Sequence, residues 1–356
     1  MASCSSNTTT TQRRPTWAVK EGRPISMHHG MRAHVVPHAA SVDTAPSAAS
    51  RTESSASAST SFELCCPICF KQRFSLPGMP KTSQALACTR CARSFSTTPA
   101  YVDLTLTSGV KQKVYNQKQW GGTELFRSPV ISFVYERGWR QGFSWAGFPG
   151  VDKETEMAMR YLRPAYGKVV VDMSCGSGLF TRRFARSGKF AGVVAADFSE
   201  SMLGQTKTFL EERAPPGSGA QAPVLLLRAD VGRLPFPTGS VAALHAGAAI
   251  HCWPNPQAAL AEISRVLAPG GVFVGTTFMV PTAPLGQALG NDDLVRPLNQ
   301  LQDAPRGQYK WWEEEELRDL CTGVGLQGFE RERQWRFIMF AARKPMGPDV
   351  TNSDDE

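Results

Sequence analysis

Three apolar strands that each end on an aspartate constrain this chain more than any other feature. Residues 168–180, KVVVDMSCGSGLF, carry a β-branched run up to Asp172, a turn of small residues, and the opening of a helical pattern. That order reads as strand, tight turn, helix. Gly176 and Gly178 lack a Cβ, so the turn can bend sharply and bring its backbone against a ligand. The N–H groups that open the next helix point into the same space. A second apolar run, FAGVVAAD, ends on Asp197, and a third, VLLLRAD, ends on Asp230. An acidic residue about 20 positions beyond such a turn accepts ribose hydroxyls in dinucleotide-type sites. Carboxylates at three strand tips on one sheet edge predict a nucleotide-shaped pocket.

The rest of the carboxyl half follows the same rhythm. Strands are expected at 168–173, 190–196, 224–228 and 241–249. Helices are expected over 178–187, closed by Gly188, and after Ser199, a suitable N-cap with Met202 on the first turn. PQAALAEISRVLAPGG reads as an amphipathic helix with a Pro-Gly-Gly stop, leading to the strand VFVGTTFMV. After an irregular insert, WWEEEELRDLCTGVGL makes a final helix and GFERERQWRFIMFAARKP a closing hairpin. Alternating strands and helices mean a parallel sheet covered on both faces. The expected fold is α/β and Rossmann-like, with seven mostly parallel strands and a C-terminal antiparallel hairpin. NAD is disfavoured, because CGSGLF lacks the third glycine of the pyrophosphate fingerprint.

The amino half carries two further signals. Residues 1–61 hold 12 Ser and 8 Thr with few acids and scattered Arg, the composition of an organelle transit peptide. They lack the apolar core of a secretory signal, and Met1-Ala2-Ser3 ahead of a Ser/Thr-rich stretch leans toward the chloroplast. Cys66 and Cys69 form one C-x-x-C pair and Cys88 and Cys91 another, with 18 residues between the pairs. That spacing predicts a zinc ribbon, in which two knuckles close a four-sulfur, structural shell. Cys65 could replace Cys66 only with poorer knuckle spacing, and disulfides do not suit a reducing stroma. The segment 126–150 is rich in aromatic residues and arginine, among them Phe133, Trp139, Arg140, Phe143 and Trp145. It reads either as packing against the main domain or as a lid over the ligand.

These signals divide the chain into a disordered transit peptide (1–61), a zinc-ribbon-like domain (62–108), a linker and helical lid (109–163), the catalytic domain (164–345) and a disordered tail (346–356). The net charge of +8 permits contact with RNA or an anionic membrane surface but requires neither. No apolar run reaches the roughly 18 to 20 residues that span a bilayer.

The blocks VVVDMSCGSG, AADFSESML, LRADVGRLPFPTGSV, HAGAAIHCW and EISRVLAPGGVFVGTTF resemble the class I S-adenosylmethionine (SAM)-dependent methyltransferases. The nearest resemblance is to the plant and algal chloroplast methyltransferases found with plastoglobules. Those proteins also carry the paired cysteines and an LFRSP…FVYERGWRQ segment. Ubiquinone and menaquinone C-methyltransferases are more distant relatives, as are bacterial rRNA guanine methyltransferases with a zinc ribbon. The resemblance covers residues of about 62 to 345. It implies that Asp172, Ser174, Gly176 and Gly178 line the methionine end of SAM and that Met202 joins the cofactor set. It further implies that Asp197 takes the ribose hydroxyls, Phe198 packs on adenine, and Asp230 accepts from the adenine amine beside Val231. Ser174 departs from the usual first glycine, and Ala242 from an aspartate often found early in the fourth strand.

Methyl transfer needs positioning more than a protein base. His251 and His245 are the candidate bases, at and within the fourth strand where substrate should sit. Cys252 and Trp253 are expected pocket walls, and Cys175 a small filler. The expected substrate is a small molecule of the chloroplast, a prenylquinone or phenol, met in the stroma or at a plastoglobule or thylakoid surface. Two alternatives stand beside it. One is rRNA gripped by the ribbon, whose inter-cysteine spacer has three Lys/Arg and no acids. The other is a SAM-binding assembly or regulatory module without turnover.

Overall fold

The computed structural model describes residues 60–109, 141–212, 221–301 and 310–347. The transit-peptide reading, apart from Thr60 and Ser61, lies outside the described residues. So do most of the lid segment, including Phe133, Trp139 and Arg140, and nearly all of the tail.

The central strand is β6 (Val169–Met173), buried almost throughout. Its Val-Val-Val run is what a strand covered on both faces requires. It pairs in parallel with β7 (Gly192–Asp197) on one side and β9 (Val241–Ala246) on the other. Beyond β7 lies β8 (Val224–Arg228), and beyond β9 lies β10 (Leu267–Phe278). The hairpin β11 (Gln327–Gln334) and β12 (Phe337–Arg343) closes that edge, with β12 antiparallel to β10. These are the seven expected strands. The strand order reverses between β6 and β9, which opens a crevice at the carboxyl tips of β6, β7 and β9.

Helices α2 (Val151–Tyr161), α3 (Leu179–Arg186), α4 (Glu200–Glu212) and α5 (Pro256–Val266) flank these strands, α1 being the short Gln141–Ser144. One core face is built around Val171, Met173, Leu244 and Phe273 and the other around Val170, Phe184, Phe337 and Met339. No helix among the described residues is long and apolar enough to cross a membrane.

Four details differ from the sequence reading. The Pro-Gly-Gly does not stop α5, which ends before it at Val266. It lies inside β10 as an irregularity in the β9 register between Leu267 and Val272, with Gly270 at φ 71°. β9 stops at Ala246, because Ala248 turns to φ 50°. The insert is not irregular throughout: it holds α6 (Ala283–Leu289) and α7 (Arg296–Leu301). The last helix, α8 (Glu314–Gly323), starts only after the two tryptophans, under a capping box between Glu313 and Glu316. Trp312 is fully buried instead, bridged to Met279.

A fifth difference concerns the amino segment. Its hairpin β1–β2 (Phe62–Cys65, Arg73–Leu76) stands alone as a two-stranded sheet. The second hairpin, β3–β4 (Gln84–Cys88, Arg93–Thr97), leads to β5 (Val102–Asp103). β5 does not complete a separate small sheet. It pairs in parallel with β8, so that ten strands run as one sheet from β11 to β3.

Candidate functional site

The turn after β6 is wound by its own backbone and by two acids. Ser174 and Gly176 both take positive φ, 57° and 55°. Ser174 therefore adopts the conformation that glycine would take there at no cost. Its hydroxyl accepts from the Trp253 indole N–H at 3.0 Å, which ties the turn to the exit of β9. Gly178, at φ 75°, leads into α3 without a side-chain cap. A Cβ on Gly178 would stand 2.4 Å from Cγ2 of Thr206 on α4, so the close approach of turn and helix requires glycine. Thr206 also donates its hydroxyl to the Gly176 carbonyl at 2.8 Å.

Asp197 at the tip of β7 completes the turn. Its Oδ2 accepts from the Gly176 N–H at 2.9 Å and its Oδ1 from the Ser199 N–H at 2.8 Å. Each carboxylate oxygen has room for a second donor, such as a hydroxyl. Burial pushes this carboxyl up to about 6, against the downward pull of the Ser199 and Gly176 amides. Ser199 caps α4 as expected, its hydroxyl accepting from the Met202 N–H at 3.3 Å, and Met202 is buried. Phe198 lies partly exposed beside it, with the Arg228 guanidinium 5.4 Å from its ring centroid.

Asp230 is exposed at the tip of β8, and only its Oδ1 is engaged by the turn, accepting from the Gly232 N–H at 2.9 Å. Val231 beside it is buried. The structure thus brings Ser174, Gly176, Gly178, Asp197, Phe198, Met202, Asp230 and Val231 to the carboxyl edge of consecutive strands β6, β7 and β8.

Asp172 and His245 sit differently. Asp172 is sealed, with Oδ2 accepting from the Thr181 hydroxyl at 2.5 Å and Oδ1 from His245 Nδ1 at 2.9 Å. His245 is fully buried between the rings of Phe180 and Phe184, 4.7 and 5.1 Å away, and its Nε2 has no hydrogen-bond partner among the described residues. These two residues stand beneath the turn and brace it to β9 and α3.

His251 occupies the short 3₁₀ turn Ile250–Cys252 just past β9. Its Nδ1 is hydrogen-bonded to the Thr277 hydroxyl at 3.2 Å, and its ring meets Phe278 edge-on at 4.9 Å. Phe278 in turn packs against Phe143 and Phe148 at 5.0 and 4.7 Å, the described part of the aromatic segment. Burial lowers His251 to about 4, so its ring is neutral near pH 7. Cys252 is pushed up to about 12 and Cys175 well above the usual thiol range, both chiefly by burial. Neither is a thiolate nucleophile.

The paired cysteines meet as their spacing requires. The four sulfurs of Cys66, Cys69, Cys88 and Cys91 lie within 4.8 Å of one another, and Cys69 and Cys88 are 3.8 Å apart. A tetrahedron with bonds of ~2.3 Å has edges of ~3.8 Å, so the Cys69–Cys88 pair has the spacing of a Zn–S₄ shell and the four together are compact enough to fit one. Backbone N–H groups of Gln72 and Lys71 pull Cys69 down to about 6, whereas burial pushes Cys66 up and Cys91 up to about 12, so a cation would be what turns all four into thiolates. Cys65 stays outside the cluster on β1.

Two residues absent from the sequence reading join these parts. Arg228 and Arg233 run from β8 and the following turn to the amino segment. Their only sequence signal was position, an arginine ending an apolar strand and another three residues after Asp230.

Residues 171–275 match the family described as "Methyltransferase domain". Two uncharacterized chloroplastic methyltransferases of Arabidopsis thaliana are similar along most of their length. One is 45% identical over 287 residues, covering 79% of this chain and 77% of the relative. The other is 46% identical over 293 residues, covering 79% of each. A demethylmenaquinone methyltransferase of Clavibacter sepedonicus is 34% identical over 203 residues, 53% of this chain and 78% of that enzyme. With the strand-tip geometry above, these likenesses make the chain a member of the SAM-dependent methyltransferase family to which the two Arabidopsis proteins belong.

Proposed function

We propose that this enzyme methylates a small aromatic acceptor, a prenylquinone or phenol, in the chloroplast. The observation that carries the reading is the apolar wall of His251, Phe278, Phe143 and Phe148 next to the tip of β9. A flat ring can pack against the exposed side of such a wall. Likeness to the demethylmenaquinone enzyme and to the chloroplastic proteins supports both the substrate class and the compartment.

In this reading Asp197 accepts the two ribose hydroxyls through the second lone pairs of its oxygens. Phe198 and Val231 flank the adenine, and Asp230 accepts from its amine through the oxygen that the turn leaves open. The Ser174–Gly178 turn and the uncapped start of α3 receive the methionine carboxylate and amine. SAM, when bound, supplies a methyl group already activated by its sulfonium. The chain's own part is alignment, worth about 7 to 11 kcal/mol of such a barrier. Asp172 and His245 hold the turn. His251 is neutral at pH 7 and forms part of the wall that orients the acceptor ring. Cys66, Cys69, Cys88 and Cys91 hold a structural zinc ion that fixes the two hairpins.

Incubation of the protein with methyl-labelled SAM and chloroplast extract, followed by separation into lipid, RNA and protein, tests the reading. Label in the lipid and phenolic fraction is expected. Label in rRNA would transfer the role to the ribbon and its basic spacer. SAM uptake without any labelled product would leave a binding module.

A further inference from the structure

The turn that follows β8 faces two ways. Asp230 and Val231 stand at its site end. Three residues on from Asp230, Arg233 reaches the first cysteine knuckle. Its Nε donates to the Pro67 carbonyl, its Nη2 donates to the Ile68 carbonyl at 2.8 Å, and its guanidinium lies 4.8 Å from the Phe70 ring centroid. Pro67 and Ile68 are the two residues between Cys66 and Cys69. Inside the knuckle the Ile68 N–H is directed at Cys66 Sγ at 3.4 Å, and the Phe70 N–H closes on the Cys66 carbonyl at 2.9 Å. With that donor turned toward sulfur, two carbonyls of the knuckle are left for Arg233.

The same turn is fastened at its other end. The Arg233 N–H donates to the Asp230 carbonyl at 2.9 Å, closing the loop that also carries the Gly232 to Asp230 contact. Cys65 donates its N–H to the Pro235 carbonyl at 2.8 Å. Arg265 stacks on Phe70 at 4.2 Å while donating to the carbonyls of Leu234 and Phe236. Knuckle and adenine-side turn are therefore one hydrogen-bonded body, in which Arg233 is the link that reaches the two carbonyls between Cys66 and Cys69.

We infer that Arg233 is a positioning residue for SAM. It holds the Asp230–Val231 turn against the Cys66–Cys69 knuckle, so that the state of the four-cysteine centre sets SAM affinity. This rests on the reading of Asp230 and Val231 as adenine contacts and of the cysteines as a metal centre. The physical cause is preorganisation. A metal fixes the two thiolates and hence the carbonyls between them. A turn fixed before SAM arrives spares the binding step the ordering entropy. A knuckle without its metal leaves Arg233 with movable acceptors, and the turn loosens.

Calorimetry with SAM on the full-length, zinc-loaded protein tests this. Arg233→Ala is expected to weaken SAM binding about tenfold while keeping one zinc per chain and an unchanged melting temperature to within a few degrees. Arg233→Lys, which can still donate to one carbonyl, should recover part of the loss. Stripping zinc from the natural protein with a chelator should weaken binding by a similar factor, and stripping Arg233→Ala should add less than twofold. Binding of zinc-loaded Arg233→Ala within twofold of the natural protein overturns the inference. So does a full second loss on stripping that variant. If stripping unfolds the chain by circular dichroism, the zinc-loaded Ala and Lys variants decide alone. Asp197→Asn separates the failures. If it loses SAM while Arg233→Ala does not, the coupling alone falls; if it also binds normally, the SAM site itself is misplaced and the coupling falls with it.

Discussion

His245 Nδ1 and Asp172 Oδ1 are 2.9 Å apart, although 73 residues separate them in the chain. The pair joins the tips of β9 and β6 under the glycine turn, and neither side chain reaches solvent. We propose on this ground that His245 acts as a brace, and the following variant tests it against a role as base. His245→Ala leaves a buried carboxylate short of a donor and a void between two phenylalanines, so unfolding stability should fall by about 3 to 5 kcal/mol. The turnover of the fraction that remains folded should drop less than fivefold. Removal of a general base would instead cost about 10²- to 10⁴-fold. Urea titration and single-turnover rates on the same preparation distinguish the two.

The raised Asp197 carboxyl gives SAM binding a pH dependence. If only the carboxylate accepts both ribose hydroxyls, the dissociation constant scales with the ionised fraction. With the group near 6, affinity should fall by about tenfold between pH 7 and pH 5. Asp197→Asn should bind about ten- to a hundredfold more weakly and show a flat profile over that range. Calorimetry at several pH values measures both, and a sloping profile in the variant would assign the titration to another group.

His251 is perturbed in the opposite sense for stability. A histidine whose folded value is lowered from 6.5 to about 4 binds fewer protons folded than unfolded between those values. Its contribution is therefore complete above pH 6.5 and is lost as the pH falls toward 4, by about 3 kcal/mol in all. Asp197, raised from 3.8 to about 6, works against this loss, since protonation favours its folded state over that window. The difference between natural protein and His251→Asn isolates the histidine. Denaturation at pH 7 and pH 4.5 should show the variant losing less on acidification.

The strand-tip aspartates and the glycine turn were legible because each rests on local chemistry. A β-branched run, a residue without Cβ and a terminal acid can be read without knowing what packs on them. The paired cysteines were legible for the same reason, as a spacing. The pairing of His245 was hidden, because alternation along one strand cannot say that Asp172 on the next strand takes its ring. The fusion of β5 to β8 was hidden too. Val102 and Asp103 are only two residues of strand, and their partners Leu227 and Arg228 lie far along the chain. Arg228 shows the cost of reading locally. It donates to Asp103 at 3.0 Å, to Glu200 at 2.9 Å and to the Phe198 carbonyl at 3.1 Å, three partners from two segments that lie far from each other in the chain. The insert helices were missed because α6 and α7 leave Leu285, Leu289 and Leu298 exposed, which blurs any helical period.

Ser174 offers the sharpest test of the turn itself, because two effects of comparable size act there in opposite directions. At φ 57° a serine costs about 1 kcal/mol relative to glycine. Its hydroxyl, however, satisfies the indole N–H of Trp253, which is only 8% exposed, and leaving such a donor unpaired costs about 1 to 3 kcal/mol. Ser174→Gly relieves the first and incurs the second, so its net loss of stability should lie between about 0 and 2 kcal/mol. Ser174→Ala keeps the strained backbone and loses the acceptor, so it should be the less stable of the two by about 1 kcal/mol. SAM affinity should follow the same order, since the turn's backbone is what the methionine end meets. Chemical denaturation and calorimetry on the two variants measure these differences. An alanine variant as stable as the glycine variant would mean that the positive φ at this position carries no strain.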